Sequence, residues 1–373
     1  MTNLLYNLLA DLKRRGEFVL RELNGLSKTL PAHFEVYRVG VVTRISRAVA
    51  AVDRMLADPD LSNPKLEPNF FMDFKRLSEL ILNVEDSSLL ILKRCEKDDE
   101  FLSSLLHRIC TEVGYKDPPP LCSALSFQYF QALVDMDIVM TPQNQAYELL
   151  SLPDLYHELA HFVLFRNQAN FELPALTLIH GFFAEMVRKG QQRGLPQGSL
   201  DAIVESHRLW TGDWHVEFAC DMIATYWCGP AYGWANLRLS ATRGDPYQDS
   251  LTHPADDSRK TGIENMLQLI NEASAAQEID ARWFDLKRLS PSAQPPGYAK
   301  RYPARLLEQL AQIIHQACIA AIFQSFSDQK SSQNAVVSHA VSEAWTSFQK
   351  DAKAFSRHEQ SALQSLRVRL TTT

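Results

Sequence analysis

The chain has no long apolar run. No window approaches about 18 uncharged apolar residues, so no membrane-spanning helix is expected. It also has no CxxC pair and no dense cysteine framework. Cys95, Cys110, Cys122, Cys220, Cys228 and Cys318 are scattered over 373 residues, the pattern of small buried reduced thiols rather than of a disulfide scaffold. Neither sign of charge dominates, and a formal net charge of -6 argues against nucleic acid as the main partner. The opening MTNLLYNLLADLKRRGEF has no basic leading region and no small-residue cleavage site, so it does not read as a signal peptide. Internal repeats and low-complexity tracts are missing. Together these absences point to a soluble, cytoplasmic protein.

What remains is ordinary globular material. Hydrophobic residues make up 46% and charged residues 22% of the chain, enough to bury a sizeable core. Residues 1–115 read as helices. Leu4, Leu5, Leu8, Leu9 and Leu12 recur at helical spacing, as do Val42, Ile45, Val49, Val52 and Leu56. KDPPPLCS (116–123) is the clearest break. FQYFQALVDMDIVMTP (127–142) reads as strands, with DMDIVMTP either a sheet edge that could pair with an extended peptide or an ordinary core strand. ELLSLPDLYHELAHFVLF then switches to helical periodicity, with Pro153 in the first turn. Ser199 is placed to cap a helix over 200–210 and Asp213 another running through Cys228. The expectation is an α+β chain, predominantly helical, in three parts: a helical region 1–115, a central domain 116–270 holding the sheet, and a helical region 271–373.

PDLYHELAHF (153–162) carries the chemistry. Residues four apart share a helix face, so His157 and His161 can offer two imidazole nitrogens to one ion. Zn2+ takes such ligands. Glu158, about 100° round the helix from His157, is placed to reach a water at an open coordination position rather than to ligate. That arrangement fits hydrolysis, with the metal acidifying the water and Glu158 accepting its proton. The spelling alone is weak support, because short motifs arise by chance. A catalytic zinc usually needs a third protein ligand. No third histidine follows at the spacing of an extended motif, where Leu164 and Asn167 stand. Glu185 and Glu217 are the candidates. Lys189 follows Glu185 by four and would repel a metal. Asp221 follows Glu217 by four and could accept the second N–H of a ligating histidine, so Glu217 is the expected ligand.

HELAH, then ExxxD on a later helix, then LTHPADDSR resembles the gluzincin metallopeptidases. The branch it is most similar to contains the CAAX-prenyl proteases, the bacterial heat-shock membrane proteases and the soluble minigluzincins. The likeness covers roughly residues 125–270. It implies a zincin-like domain, zinc held by His157, His161 and Glu217, Glu158 as general base, and a THPxxxxR segment that here runs from Thr252-His253-Pro254 to Arg259. The chain lacks the transmembrane helices of the membrane members, and the helical flanks correspond to nothing in the family.

Amide hydrolysis needs a donor for the developing oxyanion. His253, Tyr232 and Arg259 follow the Glu217 helix in segments that could return to the metal. His253 could equally be a loop histidine bonded locally, and Tyr232 a packing aromatic. Arg259 is expected to pair with Asp256, Asp257 or Asp221. His215 falls on a different face from Glu217, and His180 and His207 read as ordinary core or surface histidines. The expected activity is that of a zinc-dependent metallopeptidase acting on a peptide or protein. The alternatives are a zinc hydrolase of another amide or an ester, and a non-catalytic binding or regulatory protein on the same fold. A protein partner could dock on the helical flanks.

Overall fold

Helical periodicity accounts for most of the chain, and the helices enclose one small sheet. The computed structural model describes residues 4–26, 30–126 and 129–371. Phe127 and Gln128, at the start of the expected strand region, lie outside the described residues. The first helices are α1 (Leu4–Gly25), α2 (Ala32–Ala57) and α3 (Glu67–Asn83). A π-helical turn over Val84–Leu89 leads into α4 (Leu90–Lys93), followed by α5 (Lys97–Val113). Gly114 ends α5 in the left-handed conformation, φ 76°.

Three strands follow: β1 (Leu121–Ser126), β2 (Gln131–Leu133) and β3 (Ile138–Pro142). Their order is β1-β3-β2. β3 runs parallel to β1, with Leu121 opposite Ile138, and antiparallel to β2, with Ala132 opposite Val139. Thus β3, the strand considered as a possible peptide-binding edge, is central, and Val139 is fully buried. The edge beside the site is β2. Asp137 closes the β2–β3 turn at φ 58°. Its carboxylate takes Arg44 of α2 at 2.8 Å and also Arg166, so the hairpin is tied to elements on both sides.

The remaining helices are α6 (Pro153–Arg166), α7 (Glu172–Gln192), α8 (Gln197–Leu209), α9 (His215–Cys228), α10 (Pro230–Arg243), α11 (Asp256–Leu269) and α12 (Ala273–Leu289). They are followed by α13 (Tyr298–Arg301), α14 (Ala304–Ala320), α15 (Phe326–Lys330), α16 (Val336–Lys350) and α17 (Phe355–Thr371). Helix α8 starts at Gln197, before the expected Ser199 cap, because Pro196 already supplies the turn. Asp213 does not cap α9 either. A π-helical turn over Trp210–Trp214 carries the chain from α8 into α9, with a kink at Gly212.

Helices α6 and α9 are buried on nearly every face, as helices at the centre of a larger protein must be. They pack against each other, and this pairing sets two segments about 60 residues apart in sequence face to face. At Gly229, φ 61°, the chain turns sharply from α9 into α10. A Cβ there would stand 2.4 Å from Phe326, so glycine lets α10 fold back over α9.

The apolar cores do not follow the boundaries expected at 115 and 270. One cluster joins α1–α4 to Leu121, Met136 and Ile138 of the sheet region. The other runs from Phe101 on α5, through α6 and α9, to Leu366 on α17. Among the described residues no helix is long and apolar enough to cross a membrane.

Candidate metal centre

His157 and His161 stand one turn apart on α6, and their Nε2 atoms face each other at 3.3 Å. Glu217 on α9 completes the triangle. Its Oε2 lies 3.5 Å from His157 Nε2 and its Oε1 3.7 Å from His161 Nε2. Donors about 2.0–2.2 Å from a tetrahedral centre stand about 3.3–3.6 Å from one another. Each imidazole thus has a Glu217 oxygen close by, Oε2 beside His157 and Oε1 beside His161.

The other side of His157 is fixed as well. Its Nδ1 is 3.0 Å from Asp221 Oδ1 and 2.9 Å from the Tyr232 hydroxyl. Tyr232 donates to Asp221 in turn. With Nδ1–H donating to this acceptor pair, the lone pair sits on Nε2, the tautomer a metal needs. Arg259 clamps the same carboxylate through two bonds, Nε to Oδ2 at 2.7 Å and Nη2 to Oδ1 at 2.6 Å. Asp221 is fully buried, and an unpaired carboxylate there would be costly. Three partners satisfy it, and Arg259 holds its pKa below the ordinary aspartate value even though burial pushes the other way.

Two bare imidazole nitrogens 3.3 Å apart repel each other unless a cation or a proton lies between them. Burial works to lower the His157 pKa, but Asp221 and Glu217 outweigh it and push it up to about 10. His161 is held down at about 4, by burial and then by His157. Glu217 falls to about 2 because His157 overcomes the effect of its burial. The donor set has the composition of a cation site: one carboxylate held below its ordinary pKa and two imidazoles.

Glu158 is buried beside this triangle and opens onto the same cleft. Burial pushes its carboxyl up to about 7, while His157 pulls it down. The backbone N–H of Ala132 on the edge strand donates to it. One turn earlier on α6, Asp154 accepts from the Tyr129 hydroxyl at 2.7 Å. Burial raises this carboxyl to about 6. Both Tyr129 and Asp154 line the cleft, which encloses about 790 Å³.

The remaining expected residues fall in different places. His253 comes back to the site: its Nε2 is 3.7 Å from Glu217 Oε2, its ring is half-exposed, and its Nδ1 bonds Thr252 locally at 2.8 Å. Tyr232 is buried with its hydroxyl on the Nδ1 side of His157, away from the donor triangle. It orients the ring, and its place does not suit an oxyanion donor. Arg259 pairs with Asp221, one of the three acids considered for it, and reaches within 3.8 Å of Glu217. Glu185 is on the surface, bound to Arg188 at 2.6 Å and Lys189 at 3.2 Å. His180 bonds His207 at 2.9 Å, and His215 bonds the Trp210 carbonyl at 3.1 Å.

Sequence reasoning missed Cys220. With His157 and His161 it forms a group whose ligand atoms all lie within 4.8 Å of one another, so a His/His/Cys set could also hold a metal. Glu217 and Cys220 differ in charge. His157 holds the Glu217 carboxyl at about 2 against its burial, whereas burial and then the neighbouring carboxylates hold the Cys220 thiol well above its ordinary pKa. The position of Cys220, one turn after Glu217 on the same helix, was the available signal. Asn236 and Arg243, which line the cleft from α10, had no motif to mark them.

Compared with models of protein families, with curated proteins and with solved structures, this chain matches none.

Proposed function

We propose that the protein is a zinc-dependent hydrolase of peptide bonds, a zincin-like metallopeptidase. The observation that supports this most is the His157–His161–Glu217 cluster, with polar atoms 3.3 Å, 3.5 Å and 3.7 Å apart, in a cleft that Glu158 also lines. His157, His161 and Glu217 would hold the ion. When bound, zinc supplies Lewis-acid chemistry, polarising a carbonyl and acidifying water.

The rest belongs to the protein. Asp221, Tyr232 and Arg259 keep the His157 lone pair aimed into the triangle. Glu158 takes a proton from the attacking water on its carboxylate and returns it to the leaving amine nitrogen. His253, at the mouth of the site, offers a ring N–H to negative charge developing on the carbonyl oxygen. The cleft has the size of sites that enclose a ligand of several residues.

Replacing Glu158 by Gln tests the reading. The variant is expected to keep its metal, measured by elemental analysis, and to lose about 100-fold or more in peptide hydrolysis. Full activity in that variant would exclude the assigned mechanism.

A further inference from the structure

The cleft is built from both faces of the sheet. Cys122 and Val139, paired across β1 and β3, enter the core around α6, whereas the neighbouring pair Leu121 and Ile138 enters the core of α1–α4. Side chains two apart on a strand share a face. Met140 therefore lies on the α1–α4 side, and both it and Leu125 pack against that core. The edge strand β2 serves each side. Ala132, opposite Val139, gives its N–H to Glu158. Gln131, one residue earlier, stands opposite Met140. Ala132, Glu158, Gln131, Met140 and Leu125 all line the one cleft, so the cavity passes from the metal-ligand side of the sheet to the other.

Leu90 on α4 lines it too. Its neighbours Leu89, Ile91 and Leu92 are buried in the α1–α4 core, while Leu90 is 43% exposed. Leu125 and Met140 are half-buried. Three apolar side chains from three elements, α4, β1 and β3, thus face the cavity without being fully covered. Ligand sites combine apolar walls of this kind with a few placed polar groups, and here α6 and α9 supply the polar groups of the metal centre.

We propose that Leu90, Leu125 and Met140 form a subsite for one large apolar side chain, such as Leu, Phe or Met, of a peptide whose scissile bond lies at the metal centre. Gln131 and Ala132 are adjacent, and a strand rises about 3.3 Å per residue, with successive side chains on opposite faces. A peptide passing β2 therefore turns a side chain toward Met140 within two residues of the bond that Glu158 serves. The inference rests on the hydrolase reading for the placing of that bond. It gives the first helical region a part in choosing the substrate.

Binding is measured first, without turnover. Fluorescein-labelled octapeptide amides of Ala and Ser, with no Leu or with a single Leu at an internal position, are titrated against the full-length zinc-loaded Glu158→Gln protein and followed by anisotropy. The Leu peptides are expected to bind about tenfold more tightly than the peptide without Leu, the size of the gain from burying such a side chain. Adding Leu90→Gln, at a partly exposed position, is expected to cut that ratio to about threefold or less with zinc content and Tm unchanged. Met140→Ala is expected to reduce it as well. The same peptides, unlabelled, are then incubated with wild type and the products read by mass spectrometry. As the Leu is moved along the peptide, the cut bond is expected to move with it, at one fixed offset of no more than two residues.

Equal binding of peptides with and without Leu, no binding of any peptide, or a Leu preference that survives both substitutions overturns the proposal. So does cleavage at bonds whose position is independent of the Leu. The two readings fail separately. Leu-dependent binding that requires Leu90, without cleavage of those peptides by the wild type, sinks the hydrolase reading and leaves a binding subsite. Cleavage indifferent to the Leu sinks the subsite alone.

Discussion

Glu217 and Cys220 sit three apart on α9, and both point toward the same pair of imidazoles. Their difference is chemical. A carboxylate already ionised can bind a cation without first releasing a proton, whereas a buried thiol must give one up. If the protein is the zinc hydrolase proposed, Glu217→Ala is expected to lower zinc affinity by about 100-fold, and Cys220→Ala to leave zinc binding unchanged. Loss of zinc in the cysteine variant alone would transfer the third ligand to sulfur. Asp221→Asn probes the layer behind, where removing a ligand's hydrogen-bond partner typically costs about 10–100-fold in affinity.

Away from the site, Glu264 on α11 gives a pH test. It lies 2.9 Å from Lys260, and burial, opposed by Lys260, pushes its carboxyl from 4.5 up to about 7. The folded state then holds this proton more tightly than the unfolded chain does. The contribution of the group to stability is greatest below about pH 4.5 and is lost as pH rises to about 7. Glu264→Gln removes that loss. Its stability relative to wild type is expected to climb by about 1–2 kcal/mol between pH 5 and 8, read from urea unfolding. A difference independent of pH would contradict the assignment.

Two elements without any motif hold the site in shape. The loop carrying His253 is pinned from the C-terminal region. Tyr302 donates to Asp249 at 2.8 Å and accepts from the Ala255 N–H at 3.1 Å, and its ring stacks on Trp214 with centroids 5.1 Å apart. Trp214 in turn donates to the Ser250 carbonyl at 2.9 Å. Under the hydrolase reading, Tyr302→Phe frees both ends of this loop. It is expected to lower kcat about tenfold with zinc content unchanged, within the range that an ångström of misplacement can cost. An unchanged kcat would show that the position of His253 does not matter to the reaction. The second element is the π-helical turn over Val84–Leu89, which precedes Leu90 and Arg94, two residues that line the cleft. The first helical region thus supplies part of the cleft wall.

At the scale of the whole molecule, the core decides what can be separated from what. Side chains from α5, α6, α9, α14, α16 and α17 share one apolar cluster. Glu112 on α5 reaches across 225 residues of sequence to accept from the backbone N–H groups of Val337 and Ser338, at 3.0 Å and 3.1 Å, where α16 begins. A fragment limited to residues 116–270 would leave the inner faces of α6 and α9 without these partners. It is expected to be degraded rapidly in limited proteolysis and to show no dispersed NMR spectrum. A stably folded fragment would mean that the flanking helices are dispensable for the core.

The helices were legible in the sequence, since a stripe of leucines at 3.6-residue spacing needs only local geometry to be read. So were His157, Glu158 and His161, because one turn of one helix brings them together. Glu217 and Asp221 could be chosen over Glu185 and Lys189 by charge alone, before any contact was known. Other features lay beyond its reach. The pairing of α6 with α9 is long-range, and only the close packing of two largely buried helices brings Glu217 within 3.7 Å of both imidazoles. The burial of Tyr232 behind His157 follows from the fold-back at Gly229. The central place of β3 and the core that runs through residues 115 and 270 both depend on which surfaces meet. Local pattern determined what each segment could become, and tertiary packing decided which side chains share a site, because proximity across a chain is fixed by the mutual burial of surfaces that no single segment contains.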